Sequence, residues 1–185
     1  MNAIARGLVR GTMSSGLVCV WVLLGVLALS GCRGGPEMVS APVKGFNHTS
    51  AEIMRFTIND AGGPRILPNQ GGGNEVCCSI LPLKWTPGLQ ARIEWDKDPD
   101  PYGEVQRDKF GQIDKVAYAN HSVNFSHHSA IIEIPEYSEN VCALQVHFFP
   151  CDQVSVSTTC FTPKHPNYPD QGYFGIKETM KCPHL

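Results

Sequence analysis

The stretch Gly71-Gly72-Gly73-Asn74-Glu75-Val76-Cys77-Cys78 gathers the residue types from which phosphate loops, metal centres and redox sites are made. A phosphate loop needs a Lys and a Ser or Thr directly after its glycines, opening a helix. Here Asn74-Glu75-Val76 follows, and Glu75 would repel a phosphate. Structural zinc sites use cysteines two to four residues apart, matched by a similar Cys or His pair, and Cys77 and Cys78 are adjacent. The Cys-x-x-Cys spacing of a dithiol redox centre is missing too. The glycines therefore read as a turn and the cysteines as staples. On a strand Cys77 and Cys78 would face opposite sides and pair with different partners; a bond between the two is the alternative.

The other reactive side chains are no better arranged. His127 and His128 are neighbours, and on a strand they too would face opposite ways. There is no Gly-x-Ser-x-Gly elbow for a nucleophile. Asp98 and Asp100 read as a solvated carboxylate pair. The expectation is a protein without a catalytic centre, metal or cofactor, and a binding role rather than an enzymatic one.

The N-terminus sets the compartment. Arg6 and Arg10 precede an apolar run from Leu17 to Leu29, and Leu29-Ser30-Gly31-Cys32 follows. A basic start, a short apolar core and small residues before a cleavage point make a secretory signal, and the run is short of the ~20 residues of a spanning helix. The Leu-Ser-Gly-Cys ending resembles a bacterial lipobox, which implies a signal peptide over residues 1–31 and a lipidated Cys32 that anchors the chain in a membrane. With Arg33 rather than Asp next in line, the resemblance favours the outer membrane, periplasmic face.

Cleavage takes Lys+Arg from 15 to 13 against 17 Asp+Glu, a formal charge of −4. No basic patch dominates, so nucleic acid is not an expected partner. With Cys19 in the signal and Cys32 given to lipid, six cysteines remain: Cys77, Cys78, Cys142, Cys151, Cys160 and Cys182. An even number in an exported chain reads as disulfides; their connectivity is open at this level.

The elements that would carry these residues are strands. Leu89, Ala91, Ile93 and Trp95 alternate with Gln90, Arg92 and Glu94, the period of a half-buried strand. Residues 53–58, 130–134, 142–149 and 154–159 are further strands, the last two pairing across Pro150–Gln153. No helical stripe is evident. The 18 Gly and 14 Pro supply frequent turns. The expected fold is mostly β, a small antiparallel sandwich or mixed sheet with long loops, stapled by disulfides. Residues 32–43 would be the lipidated Cys and a flexible tether, and 44–185 a single domain. The polar segment Asp96–Lys115 and the His/Asn-rich Asn120–Ser129 are the candidate contact loops.

Several short segments also carry a resemblance. Phe46-Asn47-His48-Thr49, Pro68-Asn69-Gln70-Gly71-Gly72-Gly73, Cys77-Cys78, Leu81-Pro82-Leu83-Lys84-Trp85-Thr86-Pro87-Gly88-Leu89, Val146-His147-Phe148 and His165-Pro166-Asn167-Tyr168-Pro169 are similar to a proteobacterial lipoprotein family catalogued as a domain of unknown function. Members often sit beside genes for type VI secretion spike proteins and lipase effectors. The resemblance implies a periplasmic immunity protein that binds and blocks a phospholipase effector. A structural envelope lipoprotein with no toxin partner is the alternative.

Overall fold

The alternation at Leu89–Trp95 becomes β5 (Gln90–Asp98), with Ala91, Ile93 and Trp95 buried and Gln90 and Arg92 exposed. In the computed structural model, residues 35–138, 141–176 and 182 are described, and Pro36–Leu185 forms one compact unit. The signal segment 1–31 and Cys32 lie outside the described residues.

The other strands are β1 (Met38–Asn47), β2 (Glu52–Ile58), β3 (Ala61–Gly63), β4 (Val76–Pro82), β6 (Ser126–Glu133), β7 (Leu144–Phe148) and β8 (Val154–Ser157). They form two four-stranded sheets, ordered β4-β1-β7-β8 and β3-β2-β5-β6. The second is antiparallel throughout. In the first, β1 runs parallel to β7 and antiparallel to β4, and β7 pairs antiparallel with β8 as its sequence suggested. Ala41 and Val43 of β1, Phe56 of β2, Ile93 and Trp95 of β5 and Val146 and Phe148 of β7 share a single core cluster, so the inner faces of the two sheets close on one another as a β-sandwich. Phe148 lies at its centre, with ring centroids 5.1 Å from Phe56 and 5.6 Å from Trp95.

Three expectations are corrected. Met38–Val43, read as the end of a tether, form the first half of β1. Ser40, Ala41 and Pro42 look like linker residues, but Ala41 and Val43 are wholly buried, and small size is what the facing core requires there. The segment Asp114–Ser122 contains a helix, α1 (Lys115–Ser122), that no stripe announced. It buries no residue, so it has no apolar periodicity; Asp114 starts it by accepting hydrogen bonds from the backbone N–H groups of Val116 and Ala117, each at 2.9 Å. Finally, Cys77 and Cys78 bond to each other. Their Cα atoms lie 3.1 Å apart, and the two sulfurs meet each other instead of facing opposite sides of the strand. The remaining cysteines pair Cys142–Cys160 and Cys151–Cys182. All six predicted staple cysteines are thus in bridges.

Candidate functional site

β7 is buried along its whole length, although its pattern of Leu144, Val146 and Phe148 accounts for only one face. The other face carries Gln145 and His147. Tyr168, Tyr173 and Phe174 from the C-terminal segment cover it, and His48 approaches from the end of β1. Phe46, His147, His48 and Phe149 lie nearly parallel: Phe46 stacks on His147 at 4.7 Å, His147 on His48 at 5.3 Å, and His48 on Phe149 at 5.0 Å.

A polar chain runs through this stack. His48 Nε2 and His147 Nδ1 are 3.0 Å apart, His147 Nε2 and Tyr168 Oη 3.3 Å, and Tyr168 Oη donates to Gln145 Oε1 at 2.7 Å. Gln145 Nε2 donates onward to the Thr159 carbonyl at 3.0 Å. One set of donors satisfies every link: with Tyr168 donating to Gln145, His147 Nε2–H donates to Tyr168 and His48 Nε2–H donates to His147 Nδ1. Both imidazoles are then neutral. Burial favours the same state. It pushes the His147 imidazolium down to about 3, with the neighbouring His48 adding to the effect, and lowers His48 in the same direction. Burial also raises the Tyr168 phenol, helped by Asp170 and Tyr173. The pair is therefore a neutral hydrogen-bonding unit and not a cationic one.

Asn47 and Thr49 hold His48 in place. Asn47 Nδ2 donates to the carbonyls of Ala51 (2.7 Å), Ile66 (3.3 Å) and Leu67 (3.2 Å), while Oδ1 accepts from the N–H (3.0 Å) and hydroxyl (2.8 Å) of Thr49. The glycines run alongside. Gly72 N–H donates to Gly45 O at 2.9 Å, and Gly71 bridges Phe46. A Cβ on Gly71 would come within 2.5 Å of Gly45 O, and one on Gly72 within 2.6 Å of the Phe46 ring. The triple glycine thus lets a loop cross β1 at backbone contact and brings Asn69 and Gln70 beside His48.

Between these parts opens a cleft of about 950 Å³. His48, Gln145, Asn69 and Gln70 line it from the sheet side, and Phe161, Thr162, Lys164 and Phe174 from the C-terminal side. Lys44 and Glu75, also in its wall, form an ion pair.

A second surface lies on the loop after β5 and on α1. Asp98, nearly buried, accepts from the Asp100 N–H at 2.9 Å and pairs with His121 Nε2 at 2.9 Å, which fastens α1 to the sheet. Beside it the buried Glu52 carboxylate takes both Nε and Nη2 of Arg65. Asp108 Oδ1 accepts from Phe110 N–H and Gln112 N–H at 2.8 and 3.0 Å and shapes the loop tip. On this braced frame Tyr102, Phe110 and Val123 are 77, 76 and 77 % exposed, and Ile113, Val116 and Tyr118 are exposed as well.

The predicted residues fall into distinct places. Asp96–Asp98 belong to β5, the rest of the polar segment to the loop and the start of α1. Asn120–Ser129 is split between α1 and β6. His127 faces outward to Asp96 (2.7 Å) and His128 inward, stacked on Trp95 at 5.2 Å. Among the described residues, no group of three or more His, Cys, Asp or Glu is placed to hold a metal, and no helix is long and apolar enough to cross a membrane. The reading by motif passed over His48, His147 and Tyr168 as site residues. Their signal was present: a histidine inside the apolar run Val146-His147-Phe148, and three short recognisable segments far apart in sequence that meet in space.

The geometry defines a class: a disulfide-stapled β-sandwich with a cleft over a neutral histidine pair and an apolar loop surface at its side. The chain belongs to the family described as "Protein of unknown function (DUF3304)", whose model matches residues 46–156, more than half of the chain. No curated protein and no solved structure matches it.

Proposed function

We propose that this protein acts by binding: an exported lipoprotein, anchored through Cys32 at the periplasmic face of the outer membrane, that inhibits a phospholipase effector delivered by type VI secretion. The observation that carries the binding role is the exposed apolar set on the loop and α1. Tyr102, Phe110, Ile113, Val116, Tyr118 and Val123 crowd one short segment whose helix buries nothing inside its own domain. Isolated apolar residues are ordinary on a surface, but a contiguous set ringed by charge is the composition of a protein interface. Asp100, Glu104, Arg107, Asp108, Lys109 and Lys115 alternate with them along the same segment and supply its charge. The frame of Asp98–His121, Glu52–Arg65 and the Asp114 cap keeps the loop ordered before contact, which lowers the entropic cost of association. The lipobox-like Leu29-Ser30-Gly31-Cys32 and the resemblance described above support the location and the kind of partner.

The test is a titration of residues 33–185, disulfides oxidised, against the lipase encoded beside the gene, following phospholipid hydrolysis. Stoichiometric loss of hydrolysis is expected. Phe110→Ser and Val116→Asp, both at exposed positions, should each weaken the complex by about tenfold or more while leaving the thermal midpoint unchanged. A folded chain that neither binds nor inhibits removes the lipase as partner and leaves the structural envelope role.

A further inference from the structure

We propose that the cleft over the His48–His147 pair is a second binding site, for a neutral polyhydroxylated ligand of the oligosaccharide class. Its volume of about 950 Å³ lies within the range of small-molecule sites. Its chemistry excludes the other ligand classes in turn. An anion would find little to hold it. Lys44 is already paired with Glu75, Lys164 is the single lysine of the wall outside an ion pair among the described residues, and the histidine pair is neutral. The glycine loop is no anion cradle, because Gly72 N–H is already bonded to Gly45 O and Asn47 N–H to Gln70 O. An acyl chain would bury the side chains of Asn69, Gln70 and Thr162, which have no hydrogen-bond partner among the described residues; each would cost about 1–3 kcal/mol if sealed from water unsatisfied. A peptide added as a strand would need a free sheet edge. The cleft is floored by β1 and β7, both interior strands whose two sides are already paired.

A sugar satisfies what is present. The free amides of Asn69 and Gln70 each offer paired donor and acceptor groups that match vicinal hydroxyls, and the Thr162 hydroxyl and Lys164 ammonium add single contacts. With His48 Nε2 bonded to His147, Nδ1 is the ring nitrogen left as an acceptor for one hydroxyl. Phe174 and Phe161, 47 and 39 % exposed in the wall, supply apolar ring surface for the C–H face of a pyranose, Phe161 through the face opposite its stacking on His165 at 4.2 Å. The cleft is also preformed: Gly71 and Gly72 lie against Phe46, and the Cys142–Cys160 bridge is in its wall.

The experiment is a ¹H–¹⁵N NMR titration of oxidised residues 33–185 with triacetylchitotriose and, separately, maltotriose, with inorganic phosphate and zwitterionic phospholipid vesicles as comparisons. Saturable shifts confined to residues 69–72, 145 and 159–164 with at least one saccharide are expected, weakened about tenfold in Gln70→Ala and Phe161→Ala. Both side chains are outside the core, so unchanged resonances elsewhere report an intact fold. Absence of saturable shifts with either saccharide overturns the proposal. So does saccharide binding that both variants leave untouched, or saturation by phosphate or vesicles alone. The lipase titration reads the loop and α1, and either result can stand without the other.

Discussion

His147 is fully buried, yet it carries an ionisable ring bonded on both sides, to His48 and to Tyr168. That arrangement ties stability to pH in a definite direction. In the unfolded chain the imidazole takes a proton near 6.5, whereas in the folded chain burial and His48 hold it neutral down to about 3. Between these values the unfolded state binds more protons, so folding free energy rises with pH and is fully present above 6.5. His48, lowered by its own burial, acts in the same sense. A carboxylate against the pair would favour the imidazolium and oppose this sign, but the causes acting on His147 are burial and the neighbouring His48, and both lower it. The thermal midpoint should therefore fall steadily on acidification from pH 7 toward 4. His147→Gln, less stable at pH 7, should show a shallower fall across that window; an equal slope would assign the acid sensitivity to other groups.

At the scale of elements, β1 does the most to assemble the molecule. It pairs with both β4 and β7, contributes Ala41 and Val43 to the core, and ends in Phe46 and Asn47, directly before His48, where the site forms. The glycine loop completes it, and the three glycines are not equivalent. Gly72 has φ +72° and a Cβ there would meet the Phe46 ring, whereas a Cβ on Gly73 would meet nothing within 4 Å. Gly72→Ala should destabilise by about 1–3 kcal/mol. Gly73→Ala should stay within about 0.5 kcal/mol of the parent. Urea denaturation of the two variants makes the comparison, and equal stability would mean that the loop does not need its close passage over β1.

For the molecule as a whole, the sandwich core and the disulfides divide the work. The core joins the two sheets, and in the segment after β8 the one regular element among the described residues is a short 3₁₀ turn at Gln171–Gly175. Its cover over the site is fastened by Cys151–Cys182 and by the Tyr168 hydroxyl, while Cys142–Cys160 ties the start of β7 to the residues beyond β8. Replacing Cys142 and Cys160 together by serine should lower stability by about 2–4 kcal/mol, as for a bridge that closes a loop of this size. The loss is read from the denaturant midpoint of the oxidised chain. The core, which lies between the sheets rather than under this segment, should keep the variant folded, so its far-ultraviolet circular dichroism should match the parent's. Loss of all β signal would show instead that the bridge is essential to the sandwich.

The β character of this protein was legible in local sequence because a strand with one wet face writes its burial as a period of two. Ala91, Ile93 and Trp95 show it directly; Leu144, Val146 and Phe148 carry the same period, although the Gln145 and His147 face of β7 is covered as well. Membership of all six late cysteines in bridges followed from their even number and the exported look of the chain. Partner choice did not, since covalent pairing depends on which Cβ atoms meet in space. Helix α1 was hidden because a helix that buries nothing has no apolar period to read. The site was hidden for a related reason. His48, Gln145, His147 and Tyr168 come from three separate segments, and each looks ordinary alone. Only the parallel pairing of β1 with β7, and the return of the C-terminal segment over them, sets the two imidazoles 3.0 Å apart and removes the water that would otherwise let them charge.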